Sequence, residues 1–231
     1  MDLVSYRLDQ SIATITLDDG KVNALSPTMF AQINSALDRA QADRAVVVLT
    51  GRLGVWSAGF DLAVLRGGGA AAPGMVRAGF ALAERLLAFP RPVVAACTGH
   101  AVAMGVFLLL SADYRIGAIG PYRITTNEVA IGMTMPVAAI EIARQRMAPA
   151  QLHRALVLAD VLSPEEAVVA GILDRAVPAA ELADAARGVA GRLATLDMTA
   201  HAATKLRTHD ATLRALRAAL DTDAAELVPP G

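Results

Sequence analysis

Two short segments of this chain set small residues between an apolar run and what reads as the start of a helix. Trp56-Ser57-Ala58-Gly59-Phe60-Asp61-Leu62 follows the run Ala45-Val46-Val47-Val48-Leu49-Thr50. Gly99-His100-Ala101-Val102-Ala103-Met104-Gly105 follows Val93-Val94-Ala95-Ala96-Cys97. The first amides of a helix have no acceptor inside it, so two such sites facing each other can hold a developing oxyanion. Removing one donor of that kind costs a reaction about 3–4 kcal/mol. Ala58, Gly59 and Gly105 are small enough to leave the approach open. Taken singly, either segment also reads as glycine that ends a strand or lets two elements pack closely. The second helix continues Val106-Phe107-Leu108-Leu109-Leu110, apolar where a catalytic acid would be useful. Carboxylates follow later, at Glu128 and Glu141.

The elements that must hold these residues are legible as an alternation. Two strands, near 3–8 and 11–17, precede the turn Asp18-Asp19-Gly20, and Ser26-Pro27 opens a helix over 27–42. Strand 45–50 follows. The stretch Gly67-Gly68-Gly69-Ala70-Ala71-Ala72-Pro73-Gly74 reads as a flexible loop, a lid or mouth beside the first small-residue segment. A helix over 75–88, a strand over 93–97, a helix over 104–112, strands 113–117 and 122–125 and a helix over 137–147 come next. From 149 the pattern is helical: 149–159, 164–170, 180–195, 199–208 and 211–227. The front half is α/β with buried parallel strands, and the back half is alanine-rich and helical.

Composition narrows the classes of function. The 231 residues fit one domain with a large core, 55% hydrophobic and 19% charged. No stretch reaches the ~18 uninterrupted apolar residues of a membrane helix. The start, Met1-Asp2-Leu3-Val4-Ser5, lacks the basic-then-apolar pattern of a secretory signal, and the expected location is cytoplasmic. A net charge of −1 without a basic stripe argues against nucleic acid. His100, His153, His201 and His209 stand at no metal-binding spacing, and no metal is expected. Cys97 sits among apolar residues as a structural thiol. Ser57 and Ser111 have no histidine and acid at fitting spacing for a serine hydrolase. Gly67-Gly68-Gly69 lacks the Lys-Ser/Thr of a phosphate loop.

In order and spacing the chain resembles the crotonase (enoyl-CoA hydratase/isomerase) superfamily. The resemblance rests on Lys21-Val22-Asn23-Ala24-Leu25, the two small-residue segments, Ser111-Ala112-Asp113-Tyr114-Arg115-Ile116 and Asn127-Glu128-Val129-Ala130-Ile131-Gly132, about 110 residues in all. Within the superfamily the chain is most similar to a short actinobacterial-type branch of enoyl-CoA hydratases. It implies a spiral of ββα units over 1–195, a C-terminal helical trimerisation region over 196–231, and a homotrimer or hexamer. It also implies an acyl-CoA thioester as partner, with no cofactor beyond the coenzyme A of the substrate. The oxyanion donors it implies are the amides of Phe60 and Met104. Ala103 and Met104 replace two of the three glycines usual at the second position. Lys21, Val22, Ala24, Ala58 and Leu62 match positions that contact the coenzyme A moiety, and the implied substrate contacts extend to Gly59, Asp61, Gly105, Phe107 and Gly132. Asp61 itself reads as the N-cap of the helix that follows.

The acids distinguish the reactions that the resemblance allows. Hydratases of the superfamily use two glutamates. Phe107 stands at the first position and Glu128 at the second, with Asn127 for the usual proline. One glutamate beside an oxyanion hole suffices for a Δ3,Δ2-enoyl-CoA isomerase, which takes a proton from C2 and returns it at C4. Glu141 is the candidate replacement acid, and its other reading is a surface ion pair with Arg144. Hydration and non-catalytic acyl-CoA binding stand as the alternatives.

Overall fold

The computed structural model describes residues 2–67 and 69–226. Strands β1 (Val4–Asp9) and β2 (Ile12–Leu17) form an antiparallel hairpin, followed by helix α1 (Pro27–Ala42). Ser26 caps α1 by accepting the Met29 amide, and Pro27 occupies the first turn, where its missing N–H costs nothing.

Three turns of one repeating plan follow. Strand β3 (Val46–Gly51) leads to β4 (Gly54–Ser57), then to α2 (Leu62–Gly67) and α3 (Ala71–Ala88). Strand β5 (Val93–Cys97) leads to β6 (Gly99–Val102) and α4 (Met104–Leu110). Strand β7 (Tyr114–Ile119) leads to β8 (Ile124–Thr125), a 3-10 turn at Val129–Ile131 and α5 (Val137–Arg144). The first strand of each turn joins a six-stranded sheet completed by β9 (Arg175–Pro178), in the order β1-β2-β3-β5-β7-β9. The second strands form a small sheet, β4-β6-β8, paired in parallel. Each second strand therefore ends on the same side of the molecule, and the loops leaving β4, β6 and β8 meet there.

Period-two alternation divides the large sheet between two cores. Val47 and Leu49 face the main core with α1, α3 and α4, whereas Val46 and Val48 face a second cluster built with α8 (Leu182–Leu193). Helices α6 (Pro149–Val157) and α7 (Pro164–Ala170) precede β9, and α7 begins with a reciprocal capping box between Ser163 and Glu166. The last helix, α9 (Met198–Glu226), packs on α3 and α5 of its own chain.

Several expected boundaries differ. Residues 71–74 are the first turn of α3 rather than loop, because Pro73 is tolerated that close to a helix start. Gly68 lies outside the described residues. The expected helices 199–208 and 211–227 are one helix. Polar Thr208-His209-Asp210 suggests a break, but His209 is buried and lies on the inward face with Leu213 and Leu216. Strands β4, β6 and β9 were not expected. They are four residues each, and β4 and β6 open on glycine.

Candidate active site

The first small-residue segment is held by buried polar groups on its sequence neighbours. Asp19 accepts the amides of Lys21 (2.7 Å), Asn23 (2.8 Å) and Ala24 (3.0 Å), which curls residues 19–24 around one carboxylate. Burial works to raise the Asp19 carboxyl, but the donors of Asn23, Lys21 and Ala24 outweigh it and hold the group below its ordinary value. Asn23 is fully buried with φ +52°, a conformation asparagine tolerates better than most residues. Its amide donates to the carbonyls of Leu17 (3.0 Å) and Trp56 (3.2 Å). Ser57 donates to the Asn23 carbonyl at 2.8 Å and accepts the Gly59 amide at 3.1 Å.

That network fixes one peptide plane. The Gly59 carbonyl accepts Leu25 N–H at 2.8 Å, and in a trans peptide the next N–H, that of Phe60, points the opposite way. Among the described residues no acceptor faces the Phe60 amide. Gly59 has φ +85° and lies against the second segment: a Cβ there would stand 2.9 Å from Ala103 Cβ and from the Val102 carbonyl, and 3.4 Å from the Met104 nitrogen. The two segments are therefore in direct contact.

The second segment turns abruptly. Ala103 adopts φ 49° and ψ −124°, and its carbonyl accepts the amide of Val106 at 2.8 Å. The Met104 N–H, on the far side of the same peptide, leads out of the start of α4 and has no acceptor among the described residues. Gly105 fits against Ser57, whose carbonyl a Cβ would approach to 2.8 Å, and the Trp56 indole N–H donates to the Gly105 carbonyl at 2.8 Å. Strand β4 and helix α4 are thus pinned together beside the two free amides.

A cavity of about 190 Å³ lies beside them, lined by Phe60 and Ala103 but not by Met104. Ala58, Phe60, Leu62 and Ala103 line it together with Phe107, Asn127 and Glu128. Leu65, Phe80, Ile131, Met133 and Pro136 add apolar side chains to the lining, which also includes Arg66. The Phe60 ring is set edge-on to Phe30 and Phe80, with centroids 6.2 and 6.4 Å away, which fixes the backbone it belongs to.

Glu128 follows β8 and opens the 3-10 turn that Gly132 closes with φ +79°. It is 7% exposed, and its Oε2 has no hydrogen-bond partner among the described residues. Burial pushes its carboxyl up to about 7, against a smaller opposing pull from its own backbone N–H. A carboxylate poised there exchanges protons readily at neutral pH. Among the described residues lining the cavity it is the one carboxylate, and the fully buried Phe107 ring shares the wall with it.

The remaining expected residues fall into place unevenly. The Val22 carbonyl accepts the Ala58 amide at 3.0 Å, which ties this segment to a residue of the cavity wall; Lys21, Val22 and Ala24 do not line the cavity themselves, and Lys21 and Val22 are exposed. Asp61 accepts the Ala63 amide at 2.9 Å and caps α2. Gly132 serves the turn and lies off the cavity wall. Glu141 is also off it, held by Arg144 at 2.5 Å one helical turn away. Asn23 and Ser57 were not singled out for any role. Their signal was a lone amide in Lys21-Val22-Asn23-Ala24-Leu25 and a hydroxyl two residues before Gly59. Phe80, Met133 and Pro136 carry no signal of their own, because only the tertiary fold brings them to the cavity.

Comparison with known proteins agrees with this geometry. The family model described as enoyl-CoA hydratase/isomerase matches residues 7–228. A Mycobacterium tuberculosis protein, called an enoyl-CoA isomerase in one structure and a probable enoyl-CoA hydratase in another, is 47% identical with a TM-score of 0.94, the match to the first covering 98% of this chain and 99% of that one. An enoyl-CoA hydratase of Mycobacterium marinum is 44% identical with a TM-score of 0.94, covering 98% and 100%. The human mitochondrial Δ3-Δ2-enoyl-CoA isomerase is 28% identical with a TM-score of 0.93, covering 98% and 91%. The α/β spiral is the crotonase fold of these structures. Fold, sequence and the placement of its motifs lead to one conclusion: this chain belongs to the enoyl-CoA hydratase/isomerase family.

Proposed function

We propose that the chain isomerises 3-enoyl-CoA thioesters to 2-enoyl-CoA thioesters. The observation that carries this reading is the pairing of Glu128 with Phe107: one buried carboxylate on the cavity wall, and a phenyl ring where a second acid would stand. The thioester carbonyl sits against the amides of Phe60 and Met104, which bear the negative charge of an enolate. Glu128 takes the C2 proton, the C3–C4 π electrons shift as the enolate collapses toward C2=C3, and the same proton is delivered to C4. The carboxylate is regenerated, and neither water nor cofactor is consumed. The apolar wall excludes water, which favours this closed proton transfer over addition. Lys21, Val22, Ala24, Ala58 and Leu62 border the approach for the coenzyme A portion of the substrate. Assembly into trimers or hexamers belongs to the same proposal, drawn from the resemblance.

Hydration is the second reading, and the hydratase names among the relatives favour it. It needs Glu141 to leave Arg144 and enter the cavity, or a water held by Asn127 to serve in place of the missing acid. Non-catalytic acyl-CoA binding is the third. Saturated acyl-CoA incubated with the protein in D2O separates enzyme from binder. Exchange of a C2 proton for deuterium, lost in Glu128→Gln, supports enolate chemistry, whereas binding without exchange contradicts it.

A further inference from the structure

Among the described residues, the cavity that holds Glu128 is lined by one cation, Arg66, in the last turn of α2. The other lining residues are apolar apart from Asn127 and Glu128. Arg66 is exposed and makes no hydrogen bond or ion pair with any described residue. Arginines on other helices are held differently: Arg85 of α3 pairs with Asp38, Arg144 of α5 with Glu141, and Arg217 of α9 with Glu84.

The acid and the cation of this cavity also leave each other alone. Glu128 Oε2 has no partner among the described residues. Burial raises the Glu128 carboxyl, and the one opposing pull comes from its own backbone, with none from a nearby cation. Arg66 therefore stands away from the reacting end. It lies four residues past Leu62, about 6 Å along the helix from the end that follows the Phe60 amide. Lys21, Val22 and Ala24, the segment matched to the coenzyme, do not line this cavity, whereas Leu65, Phe80 and Met133 line it with Arg66.

We propose that Arg66 recognises a carboxylate at the far end of the acyl chain, so that the preferred substrates are mono-CoA thioesters of unsaturated dicarboxylic acids. The inference rests on reading this cavity as the acyl site of the isomerase proposed above. A carboxylate accepts two parallel N–H bonds from the guanidinium fork, whereas a methyl terminus leaves the fork to water. Without the cation, a carboxylate among these apolar side chains would lose hydration and gain nothing, so Arg66 separates the two classes of ester. The competing role for Arg66 is to lay its stem on the apolar lining and keep its head in water, with no part in binding.

The test is calorimetric binding of matched saturated esters to the full chain at constant ionic strength: hexanoyl-CoA against adipoyl-CoA, and octanoyl-CoA against suberoyl-CoA. In at least one pair the carboxylated ester is expected to bind more tightly by about fivefold or better. Arg66→Met should abolish that preference, weakening the carboxylated ester far more than its plain partner or free coenzyme A, and Arg66→Lys should restore part of it. Should Arg66→Met fail to fold, Arg66→Gln carries the same expectation. Equal affinity within both pairs in wild type, or a preference that survives the loss of the guanidinium, would overturn the proposal. So would an equal loss for all esters and for free coenzyme A, which would assign Arg66 to a coenzyme phosphate. The preference is read without turnover, so a chain that shows it yet isomerises no 3-enoyl ester supports this role of Arg66 and contradicts the isomerase reading.

Discussion

Glu128 concentrates the energetic tension of the site in one group. Its carboxyl is raised from 4.5 to about 7, so the folded protein prefers it protonated. The stabilisation tied to that proton is complete below about pH 4.5 and is lost as pH rises through 7. At roughly 1.4 kcal/mol per unit, holding the carboxylate charged above pH 7 costs about 3 kcal/mol. Glu128→Gln should therefore melt higher than wild type above pH 7, with the difference vanishing near pH 4, as thermal scans across pH would show. The proposed mechanism uses Glu128 in its charged form, so it predicts that kcat/KM for isomerisation rises with pH and levels off above about 7. Phe107→Glu restores the missing acid. It should raise crotonyl-CoA hydration at least tenfold while costing several kcal/mol of stability, because a second carboxyl enters an apolar wall. These two positions were legible in the sequence because the surrounding motifs fix their register. Asn23 and Ser57 were not, because their roles consist of hydrogen bonds to Leu17, Trp56 and Gly59 that exist only after the strands have paired.

Between elements, the site depends on how closely β4 and α4 approach. Ala103 occupies a left-handed conformation that glycine adopts without strain, at a cost of about 1–3 kcal/mol. Ala103→Gly should stabilise the protein by about 1 kcal/mol once the extra freedom of the unfolded glycine is offset, measurable by urea denaturation. Gly59→Ala acts in the opposite sense. Its methyl group would meet Ala103 Cβ and the Val102 carbonyl at 2.9 Å, so the two amides must separate and kcat should fall at least tenfold. The long apolar strands β3 and β5 announce themselves in sequence, as does α1 with its Ser-Pro start. Strands β4 and β6 do not, since Gly54-Val55-Trp56-Ser57 and Gly99-His100-Ala101-Val102 have neither length nor alternation, and their pairing comes from the turn of the spiral. The three-stranded sheet that leads into both small-residue segments is thus the part of the fold least visible in advance.

At the scale of the whole molecule, the C-terminal helix closes the structure over its own chain. Asp223 of α9 is buried and accepts the amides of Val137 (2.9 Å) and Ala138 (2.7 Å), capping α5 across a separation of more than eighty residues. Pro136, just before that cap, lines the cavity. Asp223→Ala should cost about 1–2 kcal/mol and raise KM more than it lowers kcat, because it loosens a wall of the cavity and leaves Glu128 and the amides in place. The central claim is that one carboxylate runs the reaction without water. The most direct test measures 3-hexenoyl-CoA isomerisation and crotonyl-CoA hydration side by side in wild type and in Glu128→Gln. Isomerisation that outpaces hydration in wild type and disappears in the variant is the predicted result; rapid hydration that survives the loss of Glu128 would contradict it.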